Sequence, residues 1–276
     1  MKSLQELQGN WEGFAQTDPL WSICSDPQKR KNKWNTEEFF ATGRKEIETV
    51  LGCLAGLGLK LDTHSPALDF GCGVGRLTCA MATHFQECWG VDISPTMIRL
   101  AQEFNRNVPR CRFLLNEQDS LAGFADNHFG FIYTSIVLQH IAEPYSRNYL
   151  TELVRLLKPG GVLVFQIPDR FRQSAAQRLR TKLALRSRLR RWLRPRENFV
   201  MEMHCIPEAA VRELARGAGA SVVDVRVTNS TDPAFAGNLL YLEKEPGSGH
   251  VSKQYCVVKG GGQSAGQRKK AAGESK

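Results

Sequence analysis

Residues Ala67-Leu68-Asp69-Phe70-Gly71-Cys72-Gly73-Val74-Gly75-Arg76-Leu77-Thr78 place a short apolar run directly before three closely spaced glycines and a helix-forming stretch. The spacing reads as a buried strand, a glycine turn and the first turn of a helix. Glycines in such a turn let backbone approach a ligand with no Cβ in the way. The helix that follows offers free N–H groups at its start. Asp69, at the end of the strand, puts a negative charge beside a loop of nucleotide-binding type. That favours a ligand carrying positive charge over one built on phosphates alone.

Downstream, short apolar runs alternate with helical periodicity. Strands are expected at 67–70, 87–91, 111–115, 130–134 and 162–167, with a closing pair at 222–227 and 239–243. Helices fit at 75–84, 95–105, 145–157 and 207–217, with Pro95 and Pro207 at helix starts, where a missing N–H costs nothing. Lys158-Pro159-Gly160-Gly161 stops a helix and turns the chain into strand five. Repeated strand–helix units build a parallel sheet with helices on both faces. The last two strands leave no room for a crossover helix, so they are expected to run antiparallel to each other.

Ahead of this unit, residues 1–65 read as a helical extension, with Thr36 as N-cap of a helix whose apolar side is Phe40, Ile47, Val50, Leu51 and Leu54. Trp11, Trp21 and Trp34 either pack the extension onto the main domain or cover a pocket. The body runs over 66–245 with an insertion at 170–200, where a helix over about 173–193 is expected, and a Gly/Ser/Lys-rich tail at 246–276 is expected to be disordered.

The formal net charge of +9 is unevenly spread. Residues 170–196 hold eleven Arg or Lys and no acid, and residues 251–276 hold six against one Glu; setting aside this +11 and +5 leaves the rest at −7. The basic character therefore belongs to appendages, and a whole-chain argument for nucleic-acid binding fails. Eight cysteines without a CxxC pair read as free thiols of a reducing compartment rather than a metal set or disulfide framework. A polar start and no apolar run of about 18 residues imply a soluble, cytoplasmic protein.

Three acidic or polar positions line up along the strand ends. Asp69 follows strand one; Asp92 ends strand two, where an acid accepts from ribose hydroxyls; Asn116-Glu117-Gln118-Asp119 follows strand three, where an adenine would lie. A dinucleotide loop wants glycine at the position of Arg76, and Asp69 would face pyrophosphate at close range. S-adenosylmethionine has no phosphate and carries an ammonium that Asp69 can stabilise, while loop N–H groups can take its carboxylate.

Asp69–Arg76, then Val91-Asp92-Ile93-Ser94, then Phe131–Ile141, then Leu156-Leu157-Lys158-Pro159-Gly160-Gly161 resemble, in order, the motifs of class I S-adenosylmethionine-dependent methyltransferases. The resemblance spans about residues 36–245. It implies a Rossmann-like, doubly wound seven-stranded α/β sheet of order 3-2-1-4-5-7-6 with strand seven antiparallel. It implies that Asp69, Gly71, Cys72, Gly73 and Gly75 form the methionine-binding loop and that Asp92 holds the ribose. Ile93 would lie against the adenine, Glu117 or Gln118 near its edge, and Ser135 at the mouth of the methyl-transfer site. The segment Trp34…Phe39-Phe40…Gly43-Arg44 resembles a lid, which brings Phe40 and Arg44 into the cofactor set. Thr134-Ser135-Ile136-Val137 differs from the Asn-Pro-Pro-Tyr type of amino-group DNA methyltransferases. A Pro-Cys pair for cytosine attack and a paired-glutamate loop are also missing, which points to a small or medium-sized acceptor.

Displacement at a sulfonium needs alignment and a dry site, and a base only where the acceptor must first lose a proton. The candidate bases are His140 and His204; no metal is expected. The basic insertion reads as a solvated cap, as a selector for an anionic acceptor, or as an attachment to RNA or an anionic membrane. A docking arm of an RNA or protein methyltransferase and a non-catalytic cofactor-binding member are the alternative functions.

Overall fold

In the computed structural model the described residues are 3–172, 201–228 and 249–260. Alternation of apolar runs and helices builds seven strands: β1 Ala67–Phe70, β2 Cys88–Asp92, β3 Cys111–Leu115, β4 Phe129–Thr134, β5 Leu157–Arg172, β6 Ala220–Val227 and β7 Gly249–Lys259. They form one sheet of order β3-β2-β1-β4-β5-β7-β6. Strands β1 to β5 pair in parallel, while β7 runs antiparallel to both β5 and β6. The order turns back between β1 and β4, and an open α/β sheet offers its ligand crevice at the carboxyl ends of strands at such a switch.

The helices are α1 Leu4–Thr17, α2 Pro19–Ile23, α3 Thr36–Gly56, α4 Arg76–Met81, α5 Pro95–Phe104, α6 Tyr145–Leu156 and α7 Glu208–Gly217. Local chemistry sets their ends. The Ser3 hydroxyl accepts from Glu6 N while Ser3 N donates back to the Glu6 carboxylate, a reciprocal capping box for α1. Asn35, not Thr36, caps α3, accepting from Glu38 N at 3.1 Å. Ser94 caps α5 ahead of Pro95, accepting from Met97 N at 3.1 Å.

Two apolar layers sandwich the sheet. Helix α6 and α7 side chains pack with Leu68, Phe70, Ile132, Leu163 and Phe165 on one face. Ile47, Val50 and Leu54 of α3 and Leu77 and Met81 of α4 pack with Ala67, Phe131 and Tyr133 on the other. Each such Leu, Ile or Phe removes enough apolar area from water to contribute about 1.5–3 kcal/mol. A third cluster, Ala15, Cys24, Phe39, Phe40, Val74 and Met97, fastens the N-terminal helices to the glycine loop and α5.

Strand seven differs from the sequence expectation. It is Gly249–Lys259, not 239–243, so the tail does not begin at Pro246. Ser252-Lys253-Gln254 interrupts the apolar alternation that marks a strand. Yet Ser252 is fully buried, its hydroxyl accepting from Gln166 Nε2 at 2.6 Å, and Val251, Tyr255, Cys256 and Val257 supply the apolar contacts. Residues 239–243 and the helix expected over 173–193 lie outside the described residues. Among the described residues no helix is long and apolar enough to cross a membrane.

Candidate functional site

The glycine loop follows from where its residues must point. Gly71, Gly73 and Gly75 have φ of +78°, +52° and +83°, a region that side chains disfavour. Space is also denied to a Cβ: at Gly71 it would lie 2.3 Å from Val137 Cγ2, at Gly73 2.4 Å from Ile23 Cδ1, and at Gly75 2.7 Å from Asn105 Nδ2. Gly71 N and Cys72 N donate to Val91 O at 2.8 and 3.0 Å, Gly75 N to Cys72 O at 2.9 Å, and Gly73 N to Asp92 Oδ2 at 2.8 Å. These four N–H groups thus hold the loop to β2 and to itself, and none of them is open to a cofactor carboxylate in this conformation. Cys72 packs inward, and burial, then the charges of Asp92 and Asp69, push its thiol well above the ordinary range, so it is no nucleophile.

Asp69 is 1 % exposed. Thr78 donates to its Oδ2 at 2.7 Å, while Oδ1 has no hydrogen-bond partner. Burial pushes this carboxyl up to about 7, against the pull of Thr78 and Arg76. Asp92 stands at the end of β2 with Ser94 N donating to Oδ1 at 2.9 Å and Gly73 N to Oδ2. Burial raises its carboxyl too, opposed by those bonds. Each oxygen keeps acceptor capacity for a hydroxyl.

Helix α1 crosses the carboxyl ends of the strands. Gln8 Nε2 donates to Ile93 O at 3.4 Å and to the Glu117 carboxylate, which joins two residues expected on the adenosine side. Glu12 accepts from Ser94 Oγ at 2.6 Å and from Thr96 N at 3.1 Å at the start of α5. Trp11 packs its ring edge to face with His140 at 5.3 Å. Gln118 contributes its carbonyl to Asn116 Nδ2 at 3.0 Å, and its side chain is exposed. Ser135 sits just past β4, within hydrogen-bond reach of the Tyr133 hydroxyl. Ile136 holds φ +61°, an outlier for a β-branched residue, and it directs Val137 against Gly71.

The two histidines come together. His140 is buried in the short helix 138–140; its Nδ1 donates to Glu202 O at 2.6 Å, and its Nε2 lies 3.1 Å from Gln139 Nε2. A carbonyl partner fixes the proton on Nδ1, so Nε2 accepts from the Gln139 amide. His204 N donates to Gln139 O at 2.7 Å, and its Nε2 lies 3.5 Å from Glu202 Oε2. A cleft beside them is lined by Leu7, Asn10, Trp11, His140, Tyr145 and Glu202. The lid positions separate: Phe40 is buried beneath the loop with Val74, while Arg44 pairs with Glu37 on the exposed side of α3. Among the described residues no group of His, Cys, Asp and Glu could hold a metal.

Residues 68–165 match the family model described as a methyltransferase domain. They form a class I S-adenosylmethionine-dependent methyltransferase domain. The methyltransferase sheet order and the antiparallel seventh strand agree with that assignment. Trans-aconitate 2-methyltransferase of Enterobacter sp. (strain 638) is 33% identical over 138 residues, 49% of this chain and 51% of that protein. The chain spans about half or less of the length of the curated relatives it matches. Magnesium protoporphyrin IX methyltransferase from Synechocystis PCC 6803, solved with S-adenosylhomocysteine, superposes with a TM-score of 0.54 at 16% identity, covering 86% of this chain and 94% of that one. A Haemonchus contortus N-methyltransferase, solved with phosphomonomethylethanolamine and S-adenosylhomocysteine, gives 0.51 at 19% identity, covering 78% and 53%.

Residue types alone did not reveal Gln8 and Glu12 as contacts of the methyltransferase strand ends, whereas Trp11, expected either to pack the extension or to cover a pocket, packs on His140 and lines the cleft. The capping box at Ser3 and Glu6 marks the helix that carries them, but their partners lie more than eighty residues away. Arg76, read as a missing glycine, is a buried partner of Glu46 at 2.8 Å.

Proposed function

We propose that this chain transfers the methyl group of S-adenosylmethionine to a small, metabolite-sized acceptor taken up where α1 crosses the carboxyl ends of the strands, beside His140 and Glu202. The observation that carries the reading is the buried Asp69 with an unpartnered oxygen, set under a glycine loop whose neighbour Asp92 ends β2. Those residues fit an ammonium and a ribose. Relatives bearing this domain are named for trans-aconitate and magnesium protoporphyrin IX, and one neighbour holds phosphomonomethylethanolamine.

The cofactor supplies an electrophilic methyl on a sulfonium whose departure leaves a neutral thioether. The chain's residues supply alignment and exclusion of water. Asp69 takes the ammonium, Asp92 the ribose hydroxyls, and Gly71 and Gly73 allow close backbone approach. Trp11, Leu7 and Tyr145 wall the acceptor side and keep it dry. His140, with Nε2 engaged by Gln139, lines the pocket and holds residues 201–206 through Glu202; a proton acceptor, where the acceptor needs one, falls to His204. Eight free thiols support a reducing, cytoplasmic setting. Of the basic insertion expected at 170–200, residues 173–200 lie outside the described residues.

Incubation with methyl-labelled S-adenosylmethionine and a fractionated cell extract tests the proposal. Label is expected in the small-molecule fraction. Label confined to RNA or protein, or failure to bind S-adenosylhomocysteine, overturns it.

A further inference from the structure

On the α3/α4 side of the sheet, beneath the glycine loop, Asp69 lies in a layer of buried polar side chains whose other members, Glu46, Arg76 and Tyr133, have no part in methyl transfer as described above. Asp69 and Tyr133 are register partners on β1 and β4. The Tyr133 hydroxyl donates to Glu46 Oε1 at 2.8 Å, and Arg76 Nη2 donates to Glu46 Oε2 at 2.8 Å. Arg76 Nη1 reaches Thr42 Oγ1 at 3.2 Å. Glu46 is 3 %, Asp69 1 % and Arg76 6 % exposed. The layer therefore holds two carboxyl groups and one guanidinium, and the guanidinium is bonded to Glu46. Asp69 is left with Oδ1 unpartnered.

A buried carboxylate without a partner is costly, and such a group takes up a proton instead. The groups facing Asp69 are Arg76 from α4, Glu46 from α3, Tyr133 from β4, Cys72 from the loop, Cys88 from β2 and Cys111 from β3. Burial raises the three thiols and the Tyr133 phenol, so none of these four carries charge near neutrality. Arg76 favours the ionised Asp69 and Glu46 opposes it.

We propose that Glu46 and Arg76 are a positioning pair that sets the ionisation of Asp69, so that binding of the cationic cofactor expels a proton from Asp69. The cofactor's ammonium brings the second positive charge that the layer lacks. The O–H bond of the neutral carboxyl breaks, its electron pair stays on the carboxylate, and the proton passes to solvent. This inference rests on the reading of Asp69 as the ammonium's partner.

Calorimetric titration of the intact chain with S-adenosylhomocysteine, in buffers of different ionisation enthalpy, counts the protons released. Release should approach one proton about one pH unit below the apo midpoint near 7 and vanish above it, with affinity rising up to about tenfold per pH unit over the lower range. Glu46→Gln should move the midpoint down, because Arg76 then serves Asp69 alone. Arg76→Gln should move it up, and Arg76→Lys, which keeps the charge, should restore it and serves in its place should the Gln variant not fold. Asp69→Asn should bind with no proton release. A purely structural pair would weaken binding in both variants without moving the midpoint in opposite directions. Tight binding with no proton release, or shifts of the same sign, overturns the inference and leaves the methyl-transfer reading standing. No binding by the unaltered chain at any pH overturns both.

Discussion

Trp11 of α1 rests edge to face on His140, with ring centroids 5.3 Å apart and planes at 63°. This contact ties the first helix of the chain to the end of β4, and with Gln8 on Ile93 and Glu117 it stretches α1 across the whole mouth of the sheet. An aromatic pair of this geometry is worth about 0.5–1.5 kcal/mol beyond its buried area. Trp11→Ala should raise the acceptor KM about tenfold and leave S-adenosylhomocysteine affinity within about threefold, since the proposed reading puts the lost wall on the acceptor side. Steady-state kinetics beside calorimetry separates the two. An unchanged acceptor KM would remove α1 from the acceptor site.

Glu12 fastens the same helix at its other contact. Its carboxylate accepts from Ser94 Oγ, Thr96 N and Thr96 Oγ1 at the positive end of α5. Burial opposes ionisation there, but the bonds from Ser94 and Thr96 prevail and the carboxyl titrates below its ordinary value. A depressed folded pKa contributes stability above the unfolded value of 4.5 and loses it as pH falls through the folded value. Docking of α1 should therefore hold at neutral pH and loosen below about pH 4. Glu12→Ala should remove about 1.5 kcal/mol of that docking, the low end for bonds to a charged group. Amide exchange over residues 4–17 is the measurement. Faster exchange is expected there at pH 7, with the protection of β1 and β4 unchanged; uniform acceleration across the sheet would contradict a local role.

Gly71 and Gly160 share a φ of +78°, but only Gly71 is crowded. A Cβ at Gly71 would lie 2.3 Å from Val137, whereas Gly160 has nothing within 4 Å. Gly160→Ala should cost only the left-handed strain, about 1–2 kcal/mol, and leave cofactor binding intact. Gly71→Ala adds a clash of the kind that costs about 1–3 kcal/mol and pushes Val137 and the strained Ile136 out of line. It should lower Tm further and weaken S-adenosylhomocysteine binding at least tenfold. Equal thermal shifts and equal binding in the two variants would show that the Gly71–Val137 contact does not shape the site.

What the sequence made legible follows from how local each signal is. The strand–glycine–helix unit, the proline that opens α5, and the places of the first five strands along the chain each depend on residues within one element, so period and turn chemistry find them; the order of the strands in the sheet comes from the family resemblance. Strand β7 was misplaced because Ser252, Lys253 and Gln254 break its alternation; only pairing with β5 and the Gln166 bond to Ser252 justify burying a serine there. Glu46 reads as a solvated helix position until Arg76, 30 residues on, and Tyr133, 87 residues on, are seen around it. The cofactor half of the site is written in short motifs. The α1 half is written in contacts between distant segments, which no window on the sequence contains.

Under the proposed reading, His140 and His204 divide the work of the acceptor side. Its Nδ1 proton goes to Glu202 O and its Nε2 receives the Gln139 amide, so both ring nitrogens are engaged in holding residues 201–206 against the end of β4. A general base contributes about 10²–10⁴ in rate; a pocket wall contributes through acceptor binding. His140→Ala should accordingly raise the acceptor KM and lower kcat by less than about tenfold, with the pH profile of kcat unmoved. His204 lies beside His140, with Nε2 3.5 Å from Glu202 Oε2. If the acceptor needs deprotonation, His204→Ala should lower kcat by about 10² and erase the acidic limb of that profile. Loss of that limb in His140→Ala, with His204→Ala silent, would exchange the two roles and require Gln139 to release Nε2 during turnover.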